Sequence, residues 1–173
     1  MTQVEALEAR IKELEGRMRE LEDERSIREL LSRYGFNADC CRDDEYVELF
    51  TDDAVFDMLA AVSYGKVEKR RWEGREAVRD FITDPATHHV PGFYGHAMHV
   101  QGNNVVTHID NDTAVVNSYS IVLHDDQGNL RLRTAGNNQW IFKKVDGKWL
   151  IKERRRREVG GAGYIDNLDA TPK

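Results

Sequence analysis

Four side chains scattered along the chain, Tyr34, Asp39, His99 and Arg154, are of the types that together take a proton from carbon and expel a leaving group. An imidazole titrates near neutrality and is the natural base. A carboxylate beside it fixes its tautomer and stabilises the imidazolium. A phenol donates to a leaving hydroxyl or an enolate oxygen, and a guanidinium holds a carboxylate or a developing anion. Asp39 follows an apolar helical pattern, and a carboxylate beside an apolar wall is costly unless it is paired; His99 is its expected partner. Each residue also has a structural alternative. Asp39 could cap the helix that begins at Asp43, His99 could be a satisfied strand histidine, Tyr34 a core aromatic and Arg154 a solvent-facing member of the run RRRR. Tyr34 and Asp39 lie about 140° apart on an ideal helix. They share a cavity only if it is wide or if the helix loosens near Gly35.

Other chemistries have less support. The six histidines are His88, His89, His96, His99, His108 and His124, and their spacing matches no zinc-protease or closed zinc site. No glycine-rich nucleotide fingerprint is present. Cys40 and Cys41 are adjacent, which is no disulfide framework, and nothing nearby activates a thiolate. A facial triad of two histidines and one carboxylate stays open on spacing alone.

The elements that must position these groups follow from periodicity. Ile27, Leu30, Leu31 and Tyr34 recur at helical spacing, with Ser26 as either a fresh N-cap or an interior residue of one long helix. A short helix follows from Asp43 or Asp44 to Phe50, a strand from Ala54 to Leu59, and a helix from Arg75 to Phe81 or Ile82. The segment 60–71 reads as either an extended hairpin or a mobile loop, and 87–95 as loop. Strands are expected over His96–Gln101, Asn104–Asp110, Thr113–His124, Leu130–Lys144 and Lys148–Glu158, with a hairpin turn at Asp146-Gly147. Helices first and an antiparallel meander after imply an α+β fold, a strongly curved sheet with helices closing its concave side.

Before this domain, Val4, Ile11 and Met18 occupy a positions, and Leu7, Leu14 and Leu21 d positions, of three heptads. Arg25 stands at the next a position and ends the seam. Either a coiled coil or a long helix packed on its own domain would cover this stripe. The expected organisation is an N-terminal helix over 1–25, one domain over 26–158 and a flexible tail over 159–173.

The 173 residues carry a net charge of -6, which disfavours nucleic acid as a partner. The first residues lack the apolar stretch of a signal peptide, and no run has the length of a membrane helix. A reduced, cytoplasmic setting is expected.

The stretches IRELLSRYGFNAD, YVELFTDDAVFD, WEGREAVRDF, HVQGNNVV and KVDGKWLIKERR, in this order, resemble the SnoaL-like branch of the nuclear transport factor 2-like superfamily. Among its members the chain is most similar to scytalone dehydratase, hexachlorocyclohexane dehydrochlorinase and bile-acid 7α-dehydratase. The resemblance implies a cone-like α+β barrel around an apolar pocket holding an Asp–His dyad. The family's aspartate falls on Asp39, and its H-x-x-x-N pattern on His99 and Asn103. The dehydratase tyrosine falls on Tyr34, where the dehydrochlorinase has lysine, and the last-strand basic residue on Arg154. Phe56, Met58, Met98, Tyr119 and Trp140 are the expected pocket wall. The implied activity is a cofactor-independent lyase acting on an apolar polycyclic, aromatic or terpenoid-like molecule, in a homo-oligomer, with a trimer favoured over a dimer. An isomerase using the same dyad, or a non-catalytic binding or assembly subunit of the same fold, are the alternatives.

Overall fold

The computed structural model describes residues 2–62, 66–85, 89 and 93–169, with side chains described for all of these except 60–69 and 169. Helix α1 runs unbroken from Gln3 to Asp39, opened by a capping box in which Thr2 and Glu5 satisfy each other's backbone N–H. Ser26 is therefore interior, and its hydroxyl donates to the carbonyl of Glu22 one turn back. The order continues α2 (Asp43–Val47), β1 (Phe50–Val62), β2 (Lys66–Glu73), α3 (Arg75–Thr83), β3 (Ala97–Ile109), β4 (Thr113–Asp126), β5 (Asn129–Val145), β6 (Lys148–Glu158) and α4 (Tyr164–Asp169).

The six strands form one curved, unclosed sheet in the order β2-β1-β6-β5-β4-β3. Only β1 and β6 are parallel. The segment 60–71 resolves into the end of β1 and most of β2, paired as a hairpin; residues 63–65 lie outside the described residues, as does most of the expected loop over 87–95. The two strands expected between His96 and Asp110 are one bulged strand, β3. Two-residue turns at Gln127-Gly128 and Asp146-Gly147 have positive φ at both positions, which matches the right-handed twist of the strands they join.

The C-terminal half of α1, with α2 and α3, lies on the concave face. Ile27, Leu31, Tyr34, Tyr46, Phe50, Phe56, Trp140 and Phe142 are its fully buried centre. The aromatic rings meet mostly edge to face or tilted, as Tyr34 on Trp140 and Phe56 on Phe81, a geometry their quadrupoles favour. On the convex face, the tail expected to be flexible forms α4 over Tyr164–Asp169. Asn117 and Asn137 donate to its carbonyls, and Asn167 donates back to Asn137 and to the Arg155 carbonyl. The signal was the polar triple Asn137-Asn138-Gln139 in mid-strand, since amides inside a sheet need partners of their own. Among the described residues no helix is long and apolar enough to cross a membrane.

Gly136 lets β5 and β6 approach. A Cβ there would overlap the carbonyl of Arg157 on the neighbouring strand, whereas a Cβ at Gly16, on the exposed part of α1, meets nothing within 4 Å. Gly136→Ala is expected to destabilise the domain by about 1–3 kcal/mol. Gly16→Ala should leave the urea midpoint unchanged or raised, because Ala is the better helix former. Urea denaturation of both variants checks this.

Candidate active site

The last turn of α1 and strand β3 supply the central contact. His99 Nδ1 lies 2.6 Å from Asp39 Oδ1, and the His99 backbone N–H donates to both oxygens of the same carboxylate, at 3.1 and 2.9 Å. Asp39 sits at the C-terminal end of a long helix, where the aligned backbone carbonyls disfavour a negative charge. The imidazole and the backbone N–H of His99 on β3 are what hold it there. With a carboxylate at Nδ1, that nitrogen carries the proton, and proton transfer to and from the ring runs through Nε2. Gly35 makes the approach possible: a Cβ there would stand 3.0 Å from the His99 carbonyl oxygen. The conformation needed is ordinary helix, so it is the missing side chain that matters.

His99 lines a chamber of about 170 Å³ together with Tyr34, Met58, Phe81, Phe93, Val122, Thr134, Glu158 and the arginines Arg70, Arg133, Arg154 and Arg156. Strand parity explains this set. His99 pairs with Val122 and Val122 with Thr134, while Arg154 pairs with Phe56 and Arg156 with Met58. Directly paired residues share a face and alternate ones point the other way. In the run Arg154–Arg157, the first and third arginines therefore face the chamber. Arg133 is the extra residue of a bulge in β5 opposite Val122 and Leu123, which turns its side chain inward as well. Its guanidinium stands 5.3 Å over the Phe93 ring, and that ring meets His99 edge-on.

Arg154 is nearly fully buried. It donates to the Tyr34 hydroxyl oxygen at 2.5 Å and to Asn138 Oδ1 at 2.9 Å. Its guanidinium packs on the rings of Tyr34, Phe56 and Trp140 at 4.8 to 5.1 Å. Among the described residues no carboxylate forms an ion pair with it. Asn138 in turn donates to Gln101, and Gln101 to Ser120. Arg156 is paired with Glu158 and also donates to Thr134; burial, and then the charge of Arg154 beside it, hold its guanidinium below the usual arginine range. Behind Tyr34, burial and then the neighbouring Tyr34 hydroxyl push the Tyr46 phenol well above its usual range, so it stays protonated.

Asp39 and His99 are thus in contact, as are Tyr34 and Arg154, and His99, Tyr34 and Arg154 border one chamber. Of the expected wall residues, only Met58 lines it. Phe56 and Trp140 lie one layer beneath, under Arg154. Met98 and Tyr119 are corrected to the convex face: they alternate with the inward His99 and Ser120, and Tyr119 borders a separate groove there. Asn103 borders that same groove, at a positive φ of 52° on the β3 bulge, and does not reach the dyad. The wall is also less apolar than expected. Arg133, Arg156, Glu158, Gln101 and Asn138 escaped the sequence reading. Alternation through RRRR could have found Arg156, but nothing local marks the bulge at Arg133. Among the described residues, no group of three or more His, Cys, Asp or Glu side chains is placed to hold a metal ion.

Two tyrosine variants separate the roles of the phenols. Tyr34→Phe removes an acceptor from a buried guanidinium, so a loss of about 1–3 kcal/mol is expected. Tyr46→Phe removes a buried hydroxyl with no hydrogen-bond partner among the described residues, and should be neutral or stabilising. Thermal unfolding of the two proteins side by side reads the difference.

Comparison with known proteins agrees with this architecture. A SnoaL-like domain model matches residues 19–155. An NTF2-like protein with a cystatin-like fold from Novosphingobium aromaticivorans is 28% identical, with a TM-score of 0.76 over 90% of this chain and 94% of that one. A candidate scytalone dehydratase from the same organism is 19% identical, with a TM-score of 0.60 over 80% and 85%. The beta subunit of a candidate aromatic-ring-hydroxylating dioxygenase, also from that organism, is 20% identical, with a TM-score of 0.63 over 77% and 86%. At these identities the last two share the fold alone. No curated protein sequence matches. With most of its length matched by the family's model and its sheet and helices arranged as in these structures, the chain belongs to the SnoaL-like domain family.

Proposed function

We propose that the chamber is the active site of a cofactor-independent lyase of the dehydratase type, acting on a single-ring molecule that carries an anionic group. The observation that carries the reading is the 2.6 Å contact between His99 Nδ1 and Asp39, set at the wall of a chamber. The size supports one ring: about 170 Å³ lies well under the roughly 300 Å³ at which drug-sized ligand pockets begin. Within the expected apolar cyclic class, the proposal is its single-ring members.

The charge of the wall supports the anionic group. Arg154 has its aromatic rings and two neutral acceptors, and a buried guanidinium without a counter-ion is costly. A carboxylate or enolate oxygen of the substrate would supply that counter-ion.

In mechanism, His99 Nε2 takes a proton from carbon next to an activating carbonyl, and Asp39 stabilises the imidazolium that forms. The electron pair moves into the enolate, whose oxygen is stabilised by Arg154. As the double bond forms, the β-hydroxyl leaves with the proton of the Tyr34 hydroxyl and becomes water. The tyrosinate stays beside Arg154 until the proton on His99 returns to it through solvent. Substrate becomes alkene plus water, and the enzyme is restored. An isomerase would use the same base and return the proton to another carbon.

The test is NMR in D₂O with a panel of hydroxylated single-ring ketones and their carboxylated analogues. Wild-type protein should exchange the proton next to the carbonyl and release water, and the carboxylated members should react faster. His99→Ala and Asp39→Asn should each lower the rate by about 10²–10⁴-fold with unchanged circular dichroism. Turnover that persists in His99→Ala, or no exchange anywhere in the panel, would sink this reading in favour of a binding or assembly subunit.

A further inference from the structure

We infer that residues 3–24 of α1 pair with the same segment of a second copy of this chain as a parallel, in-register, two-stranded coiled coil. Val4, Leu7, Ile11, Leu14, Met18 and Leu21 form one stripe, and each is between 44% and 66% exposed. The ion pairs of Arg10 and Arg17 with Glu13 run along the helix itself. Contact with the protein's own domain begins at Asp23, which accepts hydrogen bonds from Lys144 Nζ and Trp149 Nε1. The exposed part therefore projects as a rod of about 30 Å, at 1.5 Å per residue.

Three features name the occupant. The first is core chemistry: two of the three a positions are β-branched, Val4 and Ile11, and every d position is leucine, a combination that favours two parallel strands. The second is charge. The e positions are Glu8, Glu15 and Glu22, and the g positions Gln3, Arg10, Arg17 and, past the last seam residue Leu21, Glu24. In a parallel pair each g residue faces the e residue of the partner's next heptad. Arg10 then meets Glu15 of the partner subunit, Arg17 meets Glu22 of the partner subunit, and both pairs repeat by symmetry. In an antiparallel pair g faces g and e faces e, which sets arginine against arginine and glutamate against glutamate. The sequence thus disfavours the wrong orientation as well as favouring the right one.

The third feature is where the domain sits. At 100° per residue, the residues of α1 that enter its own domain, Asp23, Ile27, Leu30, Leu31, Tyr34 and Ala38, centre on the side of the helix roughly opposite the a/d stripe. Arg25, Arg28 and Ser32 continue the a/d positions into the domain and are exposed there. Two copies joined along the seam would carry their domains on outer, opposed sides without collision. Arg25 in place of an apolar a residue closes the seam at this point.

The experiment measures the mass of the full chain in solution by light scattering, alone and with Leu14→Lys, and checks that the domain of the variant melts as in wild type. The variant is expected to have half the wild-type mass. Equal masses would overturn the pairing. Orientation is read separately in a Cys40→Ser/Cys41→Ser background. Leu7→Cys, far from the middle of the segment, should oxidise to a covalent dimer in a parallel pair. Absence of that cross-link in a protein of the expected mass would overturn the parallel arrangement. Arg10→Glu/Arg17→Glu should weaken association at least tenfold, and the effect should shrink in high salt; no weakening would overturn the charge argument.

Discussion

The clasp between the end of α1 and strand β3 is the constraint around which the concave side is arranged. Asp39 places a carboxylate where the helix itself opposes it, and β3 answers with a ring nitrogen and an edge N–H. A sheet edge left open is a liability. Here α1 runs along it, with Gly35 against the His99 carbonyl and Arg28 donating to the carbonyl of Asn104. The contact that fixes the tautomer of His99 is also the contact that covers the edge strand. Orientation of the imidazole and structural closure therefore rest on the same few atoms.

The second organising feature is a buried positive charge that no carboxylate among the described residues pairs with. Arg154 is held by three aromatic faces, a phenol and an amide. Each of these is a partial substitute for an anion. The amide chain Asn138–Gln101–Ser120 crosses β5, β3 and β4 behind it, so the guanidinium is supported by a network spanning half the sheet. Such a network is costly when partly satisfied and rigid when complete.

The dyad was legible because its two members are unusual where they stand: an aspartate ending an apolar helical run, and a histidine within a matched motif. The supporting network was not legible in the same way. Gln101 and Asn138 look like ordinary polar strand residues until register places them opposite each other. The wall suffered from parity. Met98 and Tyr119 are plausible by residue type, yet a shift of one residue in a strand sends a side chain to the other face, and bulges in β3 and β5 move that count twice. Within the tail, register again supplies what composition does not show: its one asparagine, Asn167, donates to Asn137 and to the Arg155 carbonyl on the convex face.

The sequence by itself determined the α+β class, most of the element order and the two apolar stripes of α1, because periodicity and turn chemistry are local properties that survive in one dimension; the matched stretches pointed to the family. It also determined which residue types could move a proton. Only the tertiary structure decided that Asp39 meets His99, that two of four consecutive arginines face inward and that, among the described residues, no carboxylate pairs with Arg154. Those facts depend on strand register and on the close approach of α1 to β3 at Gly35, which join residues 60 and 120 positions apart in the chain. Distances of that kind are fixed by packing, and no local pattern encodes them.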